Sequence, residues 1–188
     1  MIVSFGIIGA GLKVIDDAFD EGKFDIKVAY LLAPLLVILW IAESISNPFS
    51  ATLLFSILFA TLLTGKVDNK AFRLSSLSVI LMLPWVKFKM GPLLLLTLAG
   101  VLDEVGDGMG EKLSGIYRLL LRHRPALKIA VLLLCMRGIF PWTSLAAILL
   151  FDASYDIAGC NFMARYYSRV QIAMISFSKS FYESRKSL

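Results

Sequence analysis

Three pairs of aspartates share one spacing. Asp16/Asp20, Asp103/Asp107 and Asp152/Asp156 each read D-x-x-x-D, and each stands at the end of an apolar segment. On a helix, residues i and i+4 lie one above the other, so each pair projects two carboxylates from one face. Two such carboxylates repel, and at a helix C-terminus they add to the negative end of the macrodipole. They need compensating positive charge. Lys23, Lys66 and Lys112 stand close by in the sequence. Oxygen-rich groups of this kind also suit Mg²⁺ or Ca²⁺. The chemistry these residues offer is that of a carboxylate-held cation flanked by lysines.

The elements that must position these acids are apolar and punctuated by proline and glycine. Seven membrane segments are expected: Ile2–Ile15, Val28–Ser46, Phe49–Gly65, Leu74–Phe88, Pro92–Leu102, Ala126–Gly138 and Pro141–Phe151. Asn47-Pro48, Gly91-Pro92 and Phe140-Pro141 each join two apolar segments with almost no loop, which predicts three helical hairpins after one leading helix. Pro92 precedes Asp103 by 11 residues, and Pro141 precedes Asp152 by the same 11. This matched spacing, with a variant ending at Asp68, marks an internal repeat of hairpins. A spanning helix needs about 20 residues. Several segments are shorter before their first charge, so the helices are expected to continue past their first acid. Asp103 then lies about 17 Å along its helix from Pro92, at a depth where ionisable groups turn inward and serve function.

Composition agrees with lipid as the solvent. Of 188 residues, 58% are hydrophobic and 18% charged, with mean hydropathy +0.78. Soluble domains carry about 25% charged residues, so disorder, collagen, coiled coil and an ordinary soluble enzyme are all disfavoured. The expected fold class is all-α, a polytopic integral membrane helical bundle of about seven segments forming one transmembrane domain over residues 1–188. Cys135 and Cys160 form no metal pair or disulfide framework and read as inert. No cleavable signal peptide is expected, and Gly6 to Gly11 reads as helix-packing surface. The net charge of +5 fits anionic lipid and cytoplasmic loops, with no nucleic acid as partner.

Seven alternating spans bring all the acidic ends to one face. That face also collects Lys23, Lys27, Lys66, Lys70, Arg73, Lys112, Arg118, Arg122, Arg124, Lys128 and the basic tail, against Lys87, Lys89 and Arg137 opposite. By the positive-inside rule the acidic clusters and the C-terminus are cytoplasmic and the N-terminus is outside. Glu43 is expected near the outer face as an interfacial anchor, or as an outer binding group if the chain is a transporter. Residues 161–188 carry Met163, Tyr167, Val170, Met174, Phe177 and Phe181 at helical spacing with basic flanks. They read as a basic amphipathic helix, lying on anionic lipid or packed across the cytoplasmic face. His123 reads as an exposed interfacial side chain.

Two motif resemblances converge on one chemistry. Asp16-Asp17-Ala-Phe-Asp20 and Asp103-Glu104-Val-Gly-Asp107 resemble the DDxxD motifs of the UbiA prenyltransferase superfamily, which hold Mg²⁺ against a lipid diphosphate on the cytosolic side. Glu104 to Lys112 also resembles the DxxDGxxAR motif of the CDP-alcohol phosphotransferases, with Glu104 at the first Asp and Glu111-Lys112 for Ala-Arg. Both resemblances imply Mg²⁺, or another divalent cation, bridging carboxylates to a diphosphate. Asp16, Asp17, Asp20, Asp103, Glu104, Asp107, Asp152 and Asp156 are then the candidate ligands. Asp16, Asp20, Asp103, Asp107, Asp152 and Asp156 are the candidate catalytic set. Lys23, Lys66, Lys112 and Arg118 would clamp the phosphates, and the lipid tail would lie between apolar helices. The expected activity is a Mg²⁺-dependent membrane transferase acting on a lipid diphosphate or CDP-linked lipid precursor. The rival expectation is a cation channel or transporter, because repeated hairpins and deep acids also mark transporters.

Overall fold

A computed structural model describes residues 1–110 and 124–159, with side chains omitted at 109 and 110. Lys112, Arg118, His123, Cys160 and the 161–188 tail lie outside the described residues. Seven α-helices and no strands make up the described residues: α1 (Ile2–Asp20), α2 (Ile26–Ser46), α3 (Pro48–Leu63), α4 (Lys70–Ile80), α5 (Met90–Gly110), α6 (Pro125–Met136) and α7 (Trp142–Gly159). A short 3₁₀ turn, Leu83–Trp85, follows α4.

The helix starts are written in local polar groups. Asp25, Asn47 and Asn69 accept hydrogen bonds from the Lys27, Phe49 and Phe72 amides at 2.9, 2.9 and 2.8 Å, capping α2, α3 and α4. Asn47 both ends α2 and begins α3, with Pro48 in the first helical turn. α1, α5 and α7 run past their first acids, as the length argument requires. α4 is shorter than its predicted segment. The Pro84 ring would clash with the carbonyl four residues back, at Ile80, and the helix stops there. Pro92 lies in the first turn of α5, so the turn expected at Gly91-Pro92 falls earlier, over residues 86–89.

α3 is central. Every residue from Ser50 to Leu58 is buried, as befits a helix apolar on all sides. α1 packs most closely on α7, α3 on α5, and α2 on α1. α4 packs mainly against α2, so α4 and α5 do not form a closed hairpin like α2/α3 and α6/α7. The α1–α7 and α3–α5 contacts depend on missing side chains. A Cβ at Gly9 would lie 2.2 Å from the Phe151 carbonyl oxygen, and one at Gly100 would lie 2.8 Å from the Ala60 Cβ on α3.

The outside of the bundle is apolar. Leu94, Leu98, Leu102 and Val105 form one exposed stripe on α5. Leu31, Leu35 and Ile38 do the same on α2, as do Ile129, Leu132, Leu133 and Met136 on α6. Among the described residues, one helix, α2, is both long and apolar enough to cross a membrane by itself. It has 21 residues, a best-window mean hydropathy of 2.1, and 28% of that window buried. α3 and α6 are apolar but shorter. α1, α5 and α7 have the length, but acids in their last turns dilute their hydropathy.

Candidate functional site

The last turns of α1, α5 and α7 meet the α3–α4 loop and the start of α6 at one end of the bundle. They line an open polar cavity of about 790 Å³. Asp16, Asp20, Glu21, Asp68, Asp107, Asp152 and Asp156 line it, facing Lys13, Lys23, Lys66 and Arg124. Among the described residues of the lining, carboxylates outnumber cations.

On α1, Lys13 precedes Asp16 and Asp17 by three and four residues, so one helical face carries all three. Its ammonium reaches Asp16 Oδ2 at 3.1 Å and Asp17 Oδ1 at 2.7 Å. Gly22, at φ +62°, turns the chain so that Lys23 returns to Asp17 Oδ2 at 3.5 Å and Glu21 at 2.5 Å. Asp17, 1% exposed, thus sits behind the cavity wall between two ammonium groups. The Lys23 hydrogen bond holds the Glu21 carboxyl below its ordinary pKa. Asp20 stands within electrostatic reach of Asp16 and Asp68.

The second cluster joins distant parts of the chain. Gly65, at φ +72°, lets the α3–α4 loop reverse. Lys66 then crosses 41 positions to Asp107 Oδ2 at 3.1 Å and reaches Glu104 Oε2 at 2.6 Å. Burial works against the charged ammonium, but Glu104 and Asp107 outweigh it and raise the Lys66 pKa above its ordinary value. Glu104 is bracketed from the other side by Arg124 at 3.1 Å. Arg124 has a left-handed backbone, φ 46° and ψ 59°, a conformation costing about 1–2 kcal/mol in a non-glycine residue. The guanidinium contacts help hold it, because the group also stacks over the Tyr155 ring at 5.2 Å.

Tyr155 ties the clusters together. Its hydroxyl donates to Asp16 Oδ2 at 3.1 Å, and Lys13 lies 5.3 Å from its ring centre. Lys128 of α6 pairs with Asp152 of α7.

The predicted site residues divide into three groups. Asp16, Asp20, Asp107, Asp152, Asp156, Lys23 and Lys66 line the polar cavity. Asp17 and Glu104 are absent from that lining and hold ion pairs with Lys13, Lys23, Lys66 and Arg124. Asp103 is placed differently again. It is 4% exposed, and its carboxylate accepts from the Ala126 and Leu127 amides at 2.8 and 2.7 Å. It therefore caps α6 from a neighbouring helix. Lys13, Arg124 and Tyr155 were missed as site residues. The Lys13 spacing to Asp16 and Asp17, and Tyr155 one residue before Asp156, were available signals. Arg124 had none.

A second, apolar cavity of about 140 Å³ adjoins the first. Leu36 and Trp40 of α2, Ile57 of α3, Phe72 and Val79 of α4 and Phe151 of α7 line it. Asp16, Lys66, Arg124 and Tyr155 belong to both walls. The site is thus amphipathic, a charged chamber opening beside an oily one.

The opposite end of the bundle is polar on a smaller scale. The Met1 amino group pairs with Glu43 at 2.8 Å, and the Ser50 hydroxyl donates to Glu43 at 3.3 Å. The Lys89 backbone amide donates to Thr52 Oγ1 at 3.1 Å, and its ammonium donates to the Ile139 carbonyl at 3.3 Å. Glu43 thereby ties α1 to α2 and α3.

Among the described residues, no three carboxylate, thiol or imidazole side chains stand close enough to hold a metal ion unaided. That arrangement is compatible with Mg²⁺, which is usually held by one or two carboxylates with waters and substrate phosphates rather than by an all-protein cage. The site therefore defines a class, a helical protein with an amphipathic, acid-rich chamber. Comparison with models of known families, with curated proteins and with solved structures finds no match for the chain.

Proposed function

We propose that the chain is a multi-pass membrane protein that binds an anionic lipid headgroup with Mg²⁺ at its acidic end and acts as a transferase. Its substrate is a lipid diphosphate or CDP-linked lipid precursor. The shared wall between the charged and oily chambers carries this reading. A ligand that fills both must have a polar head and an apolar tail joined at Asp16, Lys66, Arg124 and Tyr155. Lys66 and Arg124 suit phosphate oxygens, Arg124 through a guanidinium fork and Lys66 as a point charge. Asp20 with Asp68, and Asp107 and Asp156 across the cavity, are the carboxylates that would hold the cation. A bound divalent ion there would neutralise phosphate charge and orient the leaving group. The exposed apolar stripes of α2, α5 and α6 support a lipid-facing exterior, since soluble surfaces rarely carry such contiguous patches. The excess of basic residues on the acidic side supports a cytoplasmic location for the chamber.

The test is binding of a lipid diphosphate to the purified full chain, with and without Mg²⁺. Binding should require the cation, and Asp20→Asn should weaken it at least tenfold while the thermal transition stays in place. Binding that ignores both Mg²⁺ and Asp20→Asn removes the proposal. Cation flux in liposomes that Asp20→Asn alters, without any lipid diphosphate binding, would replace it with transport.

A further inference from the structure

We infer that Glu104 is a positioning residue: it holds Lys66 and Arg124 at the spacing that a single phosphate group bridges, and it takes no part in binding the metal ion. The inference rests on the head-group reading above and assigns Glu104 a role within it. Glu104 lies on α5, and its side chain is 5% exposed. Its Oε2 meets the Lys66 ammonium at 2.6 Å, and its Oε1 meets Arg124 Nη2 at 3.1 Å. Each carboxylate oxygen therefore already faces a cation. The residue lines the oily chamber and is absent from the lining of the charged one, where the cation-holding acids stand. A metal ion in the charged chamber would have to displace an ammonium or a guanidinium to reach it.

The two cations come from distant parts of the chain. Lys66 stands in the loop between α3 and α4, and Arg124 stands just before α6. Asp103, next to Glu104, accepts from the Ala126 and Leu127 amides. Two consecutive acids of α5 thus fix the start of α6, one through its backbone and one through the Arg124 side chain. Carboxylate and phosphate present similar two-oxygen edges, which is why the same cationic groups recognise both. Cations that share one carboxylate edge are therefore spaced for one phosphate to bridge them from the chamber side. They keep donors for it. An ammonium has three and a guanidinium five, while the described ion pairs join Lys66 to Glu104 and Asp107, and Arg124 to Glu104 through Nη2 alone. Both residues line both chambers, at the junction where a polar head would meet its apolar tail.

The probe is inorganic diphosphate, titrated against the full chain in lipid nanodiscs over a range of Mg²⁺ concentrations. Glu104→Asp keeps the charge but shortens the reach by one methylene, so it no longer touches both cations. Glu104→Gln keeps the reach but offers one acceptor oxygen, and its NH₂ group turns a donor toward the other cation. Each should weaken diphosphate binding about tenfold, the loss of one charge-assisted contact, and raising Mg²⁺ should not restore it. A loss that disappears as Mg²⁺ rises makes Glu104 a metal ligand and overturns the inference. Unchanged binding in Glu104→Asp overturns it too. So does tighter binding in Glu104→Gln, which would make Glu104 a rival of the phosphate for the two cations. Lys66→Met and Arg124→Lys test the shared phosphate without depending on how the Glu104 variants fold. Each should cost about tenfold. The double variant should lose well under the roughly hundredfold expected of independent contacts, because removing either cation already breaks the bridge. Losses that multiply in full overturn the single-phosphate spacing and leave the head-group reading standing. Failure of the unaltered chain to bind diphosphate at any Mg²⁺ concentration overturns the head-group reading, and the inference with it.

Discussion

Replacing Asp103 by asparagine should unfold the start of α6 before it touches any ligand. The carboxylate accepts two backbone hydrogen bonds, 2.8 Å from Ala126 and 2.7 Å from Leu127. Hydrogen bonds to a charged group are worth about 1.5–3 kcal/mol each, against about 0.5–1.5 for neutral ones. An anion at a helix N-terminus adds about 0.3–1 kcal/mol. Asparagine keeps one acceptor oxygen and turns an NH₂ donor toward the second amide donor. One bond becomes neutral, the other is lost, and a buried N–H is left unpaired. The expected loss is about 2–4 kcal/mol, most of it local to the α5–α6 junction. The assay is thermal unfolding of the full chain, together with hydrogen exchange at the Ala126 and Leu127 amides. Exchange there should speed up by about one and a half to three orders of magnitude, at 1.36 kcal/mol per tenfold. Asp107→Asn, at a half-exposed position paired with Lys66, is the control and should cost less than about 1 kcal/mol. If Asp103→Asn leaves both stability and exchange unchanged while ligand binding disappears, the capping argument fails. Asp103 would then belong among the ligand-holding acids, as its place in the D-x-x-x-D repeat suggested.

Two further outcomes follow from packing and charge. Gly9→Ala should cost about 1–3 kcal/mol, the usual penalty of overpacking, because its Cβ would meet the Phe151 backbone oxygen at 2.2 Å and only separation of α1 from α7 relieves that. A calorimetric transition unshifted by the substitution would refute the close approach. Lys66→Met should lower stability by about 1 kcal/mol at neutral pH, discounted because Lys66 is 41% exposed and Glu104 keeps Arg124. The Lys66 pKa is raised above its ordinary 10.5 in the folded chain. Its contribution is therefore complete below that value and is lost as pH rises through the higher folded one. The difference between the two proteins should be constant through neutral pH and shrink in alkali. A difference that is absent at neutral pH, or that grows in alkali, would contradict the assignment.

Local chemistry was enough to place the helices. Prolines at 48 and 141, the cap at Asn47 and long apolar runs act over a few residues, and they set the starts of six of the seven helices to within a turn, while α1, α5 and α7 run on past their first acids. Pro84 shows the same rule from the other side: its clash with the carbonyl at residue 80 is local, and it explains why α4 is short where hydropathy alone suggested otherwise. The i, i+4 spacing of Asp16/Asp20 and Asp152/Asp156 correctly put each pair on one helical face, and alternation of the helices carries those faces to one end. What no spacing can express is which groups meet between helices. Lys66 reaches Glu104 and Asp107 only because α3 packs on α5. Tyr155 finds Asp16 across 139 positions only because glycine lets α1 lie against α7. Asp103 and Asp107 look equivalent in the sequence, yet a helical step of about 100° per residue leaves them at slightly different angles, and a neighbouring helix start claims one while the cavity takes the other. Charge pairing and the oily chamber beside the acids are properties of that packing, so tertiary structure alone decided them.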